Sequence, residues 1–332
     1  FFEGEEEAGS THLEEYLVEY RERLDEIDLW LFFDGPVHQS GRPLLTFGVR
    51  GVTGMDLTVY GPARSLHSGH YGNWAPVPGQ MLADLLASMK DADTGEVLVE
   101  GFYDTVVPLG DEERAALDAL PSYDDELRRE LGLARTEGAP QTLAERLLLP
   151  SLTVRGLRSG NVGDLARNVI PATAEAALGI RLVEGNEPDH MLDLVEAHIR
   201  ARGFHIVRED PDLETRVTHP KVVKVSRGGG YPASRTAMDA PGVADVIAAA
   251  RAAATSDALP PGSRELVLVP ALGGSLPLYL FTDLLDRPAV IVPVANHDNN
   301  QHAPDENVRV ANLWYAMELY AALLTMPPPG VS

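Results

Sequence analysis

Four carboxylates fall within the five residues Glu3 to Glu7, in the opening run Glu3-Gly4-Glu5-Glu6-Glu7-Ala8-Gly9-Ser10 behind the apolar pair Phe1-Phe2. That composition reads as the last turn of a buried strand running out into an acidic site. Two more residues occupy comparable places. Asp34 ends the apolar run 28–33 at Asp34-Gly35-Pro36, and His302 lies in the polar loop that follows the apolar run Ala289-Val290-Ile291-Val292-Pro293-Val294. In an open α/β sheet the crevice beyond the carboxyl ends of the strands is where ligands bind. Carboxylate and imidazole converging there suit zinc, manganese or cobalt. Glu6 beside Glu7 permits one carboxylate to ligate while the other carries a proton, the division that metal-assisted hydrolysis requires. Each residue alone also has a plainer reading. The acidic run could be a solvated face or a complement to a helix dipole, Asp34 a turn residue, and His302 a surface or capping histidine.

Elements must hold these groups at one rim. A strand that opens a chain needs neighbours upstream, so the expectation is the carboxy-terminal part of a longer protein. Ser10 and Thr11 offer caps, Thr11-x-x-Glu14 fits a capping box, and Leu13, Leu17 and Leu24 recur at helical spacing to about Asp25. The runs 28–33 and 289–294 predict strands buried on both faces, and a long helix is expected from Glu306 to Leu324. Both ends of the chain then build one α/β sheet. Between them, 49–60 predicts a strand, 78–90 an amphipathic helix, and 111–146 a charged, mostly helical excursion. Strand 176–183, helix 188–202 and strand 204–207 complete a second unit, and Gly228-Gly229-Gly230 marks a hinge. The division expected is 1–49 and 236–332 for the sheet domain, with 50–235 inserted as an α+β lid.

The sequence has 332 residues, 44% apolar and 23% charged, enough for two cores. A formal charge of −23 argues against nucleic acid or an anionic membrane as partner. With no cysteine there is neither disulfide nor thiolate metal site. No apolar run reaches the roughly 18 residues that signal a membrane span.

The acidic run resembles the E-G-x-E-E-x-G-S motif of the carnosinase-type dinuclear metallopeptidases, whose relatives include succinyl-diaminopimelate desuccinylase, carboxypeptidase G and the aminoacylases. The resemblance continues in order through Asp34, Thr46-Phe47-Gly48-Val49-Arg50-Gly51, Leu66-His67-Ser68-Gly69-His70-Tyr71-Gly72 and Asn168-Val169-Ile170-Pro171. It closes with Ile180-Arg181-Leu182-Val183, Gly273-Gly274-Ser275-Leu276-Pro277 and His302-Ala303-Pro304-Asp305-Glu306. It implies a zinc-exopeptidase-like catalytic sheet with an inserted lid and dimerisation domain. It implies two divalent ions, zinc first and manganese or cobalt next. Glu6 is implied as general base and acid, Glu7 and His302 as ligands of one metal, and Asp34 as a ligand of the other. His67 is implied as the lid histidine that steadies the oxyanion, in dimeric members reaching into the partner's site. Arg181 is implied to grip the substrate's terminal carboxylate, with Asn168 and Ser275 near the bound substrate.

Two further ligands of the family, a histidine in an H-x-D motif and a bridging aspartate, precede the glutamate motif and have no counterpart here. Leu272 stands where carnosinases carry an acid, and Asn168 where they carry threonine. The expected function is a dipeptidase-type metallopeptidase, homodimeric through the lid and cytoplasmic, acting on small peptides and inactive as this segment alone. The alternatives are an N-acyl-amino-acid deacylase or desuccinylase, or a non-catalytic binding protein that keeps the fold.

Overall fold

The computed structural model describes residues 1–326. Its main strands are β1 (Trp30–Phe32), β2 (Leu44–Thr46), β3 (Gly51–Tyr60), β4 (Ser151–Arg158), β5 (Thr173–Leu182), β6 (His205–Val207), β7 (Val222–Arg227), β8 (Val267–Val269) and β9 (Ala289–Ile291). The principal helices are α1 (Leu13–Glu19), α2 (Pro78–Ala87), α3 (Asp111–Asp118), α4 (Asp124–Glu130), α5 (Leu143–Leu147), α6 (Pro188–Ala201), α7 (Val243–Ala253) and α8 (Val310–Leu324).

Both ends of the chain build one sheet, in the order β1-β9-β2-β8. Trp30 to Phe32 run parallel to Ala289 to Ile291, and Leu44 to Thr46 parallel to Val267 to Val269. Both faces are covered, which is why these segments are apolar without alternation. On one face Leu45, Val290 and Val292 pack against Val243, Val246, Tyr315 and Leu319 of α7 and α8. On the other, Ala289 and Ile291 meet Leu13, Leu17 and Phe281, and Phe281 contacts the edges of Trp30 and Phe32.

The inserted region forms a five-stranded sheet ordered β4-β5-β3-β7-β6. β3 and β5 pair antiparallel along their whole length, from Gly51 opposite Leu182 to Tyr60 opposite Thr173. Ala174, Ala176, Leu178, Ile180 and Leu182 are buried at every second position, the period of a strand with one face in the core. Across that face lie α2 and α6, which contribute Leu82, Leu85, Met191, Val195 and Ile199. Full burial of each such side chain stabilises by about 1.5–3 kcal/mol. Gly228 to Gly230 run against β3: Gly228 N–H donates to Gly54 O (2.9 Å), and a Cβ on Gly230 would lie 2.3 Å from Val52 O.

Four local expectations are corrected. Phe1 and Phe2 form no strand and are exposed, because a strand needs a ladder partner and the described strands offer them none. Thr11 caps nothing. The cap position of α1 is His12, whose side chain makes no capping bond, and Ser10 Oγ is buried unpartnered among the described residues. α1 also stops at Glu19, with a separate turn at Arg21–Leu24, and α8 begins at Val310 rather than Glu306. The intervening residues are held in a loop by Asn296 and Asn307. No described helix is long and apolar enough to cross a membrane.

Candidate active site

The acidic run closes into a single turn of 3-10 helix at Glu6–Ala8, with Gly9 N–H donating to Glu6 O at 2.8 Å and Ser10 N–H to Glu5 O at 2.9 Å. Gly9 ends that turn at φ +89°, a left-handed conformation that glycine adopts without the Cβ penalty. The turn presents Glu7 to the loop after β9, where His302 Nδ1 lies 3.5 Å from Glu7 Oε2. His302 itself has φ +61°, and Asn300 and Asp305 are left-handed too. The strained loop is pinned from beneath. Buried Asn296 donates to Asp298 Oδ1 (2.9 Å) and Asn307 Oδ1 (3.2 Å) and accepts from Arg309 N–H (2.8 Å). Arg309 in turn holds both oxygens of Asp298, at 2.7 and 2.5 Å.

Glu6 points into the same acidic neighbourhood. Burial pushes its carboxyl up, the charges of Asp34, Glu7 and Glu3 add to that, and His302 pulls the other way. Asp34 stands at the end of β1, where its Oδ1 accepts from Gly35 N–H at 2.6 Å. Glu6, Glu7, Asp34 and His302 therefore share one neighbourhood of the sheet rim.

Whether they fit a metal is a matter of donors and spacing. Two ligands of one tetrahedral zinc, each about 2.0–2.1 Å from it, lie roughly 3.3–3.4 Å apart. The Glu7–His302 separation of 3.5 Å matches one such edge. Among the described residues, however, no group of three or more histidine, aspartate or glutamate side chains converges closely enough to hold an ion. The spacing of Glu7 and His302 would fit one edge of a coordination sphere, and Asp34 does not join them as a third convergent donor.

A second grouping joins the two sheets. Arg181, at the end of β5, donates from Nη1 to Ser275 Oγ at 2.8 Å, and the Ser275 hydroxyl donates to Arg50 O at 2.7 Å. Arg50 was not among the sequence candidates. It is 6% exposed, donates from Nη2 to Leu149 O (2.7 Å) and Ser151 Oγ (3.2 Å), and its Nε is unpartnered among the described residues. Burial, and then the charge of Arg181, lower the guanidinium to about 10. The signal that could have found it is an arginine flanked by Gly48, Val49 and Gly51 at a strand boundary, where a long cation has no local reason to be.

The third grouping stands apart. His67 lies in the two-residue strand Leu66–His67 opposite Val169–Ile170, and Ser68 N–H donates to Asn168 O at 2.9 Å. His67 Nδ1 accepts from Gly69 N–H at 3.1 Å, and the His70 ring is 4.7 Å away. Both His67 and Asn168 are exposed. They sit beyond the Thr173 end of β5, whereas Arg181 is at its other end. Eight residues of strand separate Thr173 from Arg181, about 27 Å at 3.3–3.4 Å per residue. Within one chain His67 and Asn168 do not meet Arg181 and Ser275.

Known proteins resemble the chain as a whole. The peptidase dimerisation domain matches residues 47–206. The chain is 28% identical over 325 residues to the Cys-Gly metallodipeptidase DUG1 of Candida albicans, covering 94% of this chain and 61% of that protein. It is 27% identical over 328 residues to the human Beta-Ala-His dipeptidase, covering 96% and 60%. An M20 family metallo-carboxypeptidase from Sulfolobus solfataricus superposes with a TM-score of 0.78 at 25% identity, over 98% of this chain and 69% of that one. The chain thus spans less than two thirds of the length of these curated relatives. It carries a match to the peptidase dimerisation domain over residues 47–206, and over nearly its whole length it is similar to metallodipeptidases and to an M20 family metallo-carboxypeptidase.

Proposed function

We propose that the whole protein is a metal-dependent dipeptidase that hydrolyses a peptide bond next to a free carboxylate. The observation that carries this reading is the approach of His302 Nδ1 to Glu7 Oε2 at 3.5 Å, with Glu6 next to Glu7 in the same turn. Glu7 and His302 would hold one divalent ion and Asp34 a second, with the H-x-D histidine and bridging aspartate of the family completing the set from upstream. Zinc suits these donors best, and manganese or cobalt would also fit. When bound, the ions supply positive charge that polarises the scissile carbonyl and acidifies a water. Glu6, beside Glu7, would take a proton from the attacking water and deliver it to the leaving amine. Arg181, oriented by Ser275, pairs with the terminal carboxylate of the substrate through charge-assisted bonds.

His67 would steady the developing oxyanion, and the roughly 27 Å of β5 between its end of the strand and Arg181 supports its serving a second copy of the chain, with Asn168 beside it. The homodimer is proposed through the lid. β4 is an edge strand whose outer residues are exposed, Val154 by 42% and Leu157 by 60%. An open apolar edge of this kind is a template for pairing. The same division of the chain, with 50–235 as the inserted lid, goes with this reading.

Glu6→Gln is the test, made in protein extended to include the H-x-D segment and loaded with zinc. Dipeptide affinity should persist while kcat falls about 10²–10⁴-fold, the range of general acid–base contributions. An unchanged kcat would leave a peptide-binding protein instead. A deacylase of N-acyl amino acids is the second reading, favoured by Leu272, which offers no charge to a substrate ammonium. A panel setting dipeptides against N-acyl amino acids separates the two.

A further inference from the structure

A cavity of about 340 Å³ lies between the rim of the catalytic sheet and the helical excursion 111–148. Its floor comes from segments that also carry the candidate site. Pro36 and Val37 follow Asp34 directly, His297 opens the loop that bears His302, and Leu272 precedes the Gly273–Ser275 turn that orients Arg181. The roof is Leu143 and Leu147 of α5, with α3 and α4 behind. Leu147 reaches the turn itself, since a Cβ on Gly273 would sit 3.1 Å from a Leu147 methyl. Two of the polar groups at the wall are already engaged. His38 bonds Ser40 Oγ at 2.8 Å and packs against the Tyr123 ring, and Asp124 Oδ2 accepts from Leu143 N–H at 3.1 Å. Most of the lining is apolar, in a volume typical of small-molecule sites.

We propose that this cavity receives an apolar group of the substrate, so that the enzyme prefers substrates bearing a bulky aliphatic or aromatic group next to the scissile bond. The proposal rests on the hydrolase reading above and deepens it. Leu147 and Leu272 are the specificity-determining residues: one seals the roof, the other joins the cavity to the turn that positions Arg181. The apolar group has two chemical sources, a side chain of a dipeptide or the acyl chain of an N-acyl amino acid.

The experiment uses metal-loaded full-length protein with Gly-Gly, Leu-Gly, Gly-Leu and N-hexanoylglycine. Both kcat/KM and, by competition calorimetry, Kd are measured for wild type, Leu147→Asp and Leu272→Glu. The expected result is at least about a tenfold advantage of one apolar compound over Gly-Gly in wild type, the scale a hydrophobic pocket provides. That ratio should fall several-fold in both variants, with melting curves confirming that they fold. A Leu-Gly or Gly-Leu advantage identifies a side-chain pocket, and an N-hexanoylglycine advantage an acyl pocket. Equal Kd and kcat/KM across the wild-type panel would overturn the proposal, as would an advantage that survives both substitutions. Absence of turnover on every compound counts against the hydrolase reading alone, because the Kd ratios still decide the fate of the cavity.

Discussion

The lid sheet and the catalytic rim treat charge in opposite ways. In the lid, Glu196 is buried to 1% exposure and meets three guanidinium groups: Arg200 at 2.9 Å, Arg208 at 2.8 Å and Arg227 at 2.7 Å. Burial alone would raise its pKa, but the bonds from Arg208 and Arg227 outweigh that and bring it down to about 2. At the rim, Glu3, Glu6, Glu7 and Asp34 crowd one another, with His302 as the opposing influence, and Glu6 is pushed up instead. A buried carboxylate surrounded by cations stabilises a fold. A crowded set of carboxylates with too few cations costs stability and is kept where an added cation or a moving proton makes use of it.

The sharpest way to break the comparison is to separate the lid from its partner. If the lid is structural only within its own chain, then Val154→Lys with Leu157→Lys on the exposed edge should leave activity untouched. The trans role of His67 predicts otherwise. The double variant should sediment as a monomer and lose about 10²–10³-fold in kcat, the range for removal of an oxyanion donor. Mixing it with a Glu6→Gln protein should restore nothing unless dimers reform.

Glu196→Gln probes the lid side. Removing one partner of a buried ionic cluster costs about 3–5 kcal/mol, and the half-exposed state of Arg200 and Arg208 reduces this to roughly 2–3 kcal/mol, read from a urea midpoint. The pH dependence has a definite sign. A carboxyl depressed from 4.5 to about 2 on folding gives stability that is fully present above pH 4.5 and is lost as pH falls toward 2. Wild-type stability should therefore drop across that window, and the Glu196→Gln profile should be flatter there. An equally steep drop in the variant would assign acid sensitivity to other carboxylates.

What the sequence made legible follows the same divide. The lid elements β5 and α6 are found within a few residues of where alternation and helical spacing place them, because a half-buried strand and an amphipathic helix write their burial into local periodicity. Glu7 and His302 were singled out separately in the sequence, whereas their approach to 3.5 Å comes from the fold. Arg50 was not, since its burial depends on Leu149 and Ser151, about a hundred residues away. The cavity was equally hidden. Its roof, α5, reads as part of a charged excursion, and nothing local announces that Leu147 will rest on Gly273. Phe1 and Phe2 mark the converse limit, where an apolar pair promised a strand that needs a neighbour to exist.

The smallest expected effect tests where the two regions touch. Ser275 Oγ accepts from Arg181 of the lid and donates to the backbone of Arg50 at the start of the lid, so one hydroxyl links the substrate's proposed carboxylate site to the domain junction. Ser275→Ala removes both bonds. Arg181 is exposed, so water replaces the lost acceptor and the cost should stay near 0.5–1.5 kcal/mol, roughly a two- to tenfold rise in KM with kcat little changed. The Arg50 carbonyl, on a residue only 6% exposed, loses a donor, which adds a loss of thermal stability. A KM rise confined to substrates with a free terminal carboxylate, and absent for their amides, would tie the effect to Arg181. An equal rise for both would mean that Ser275 acts through the junction, with the lid no longer held at the angle the rim requires.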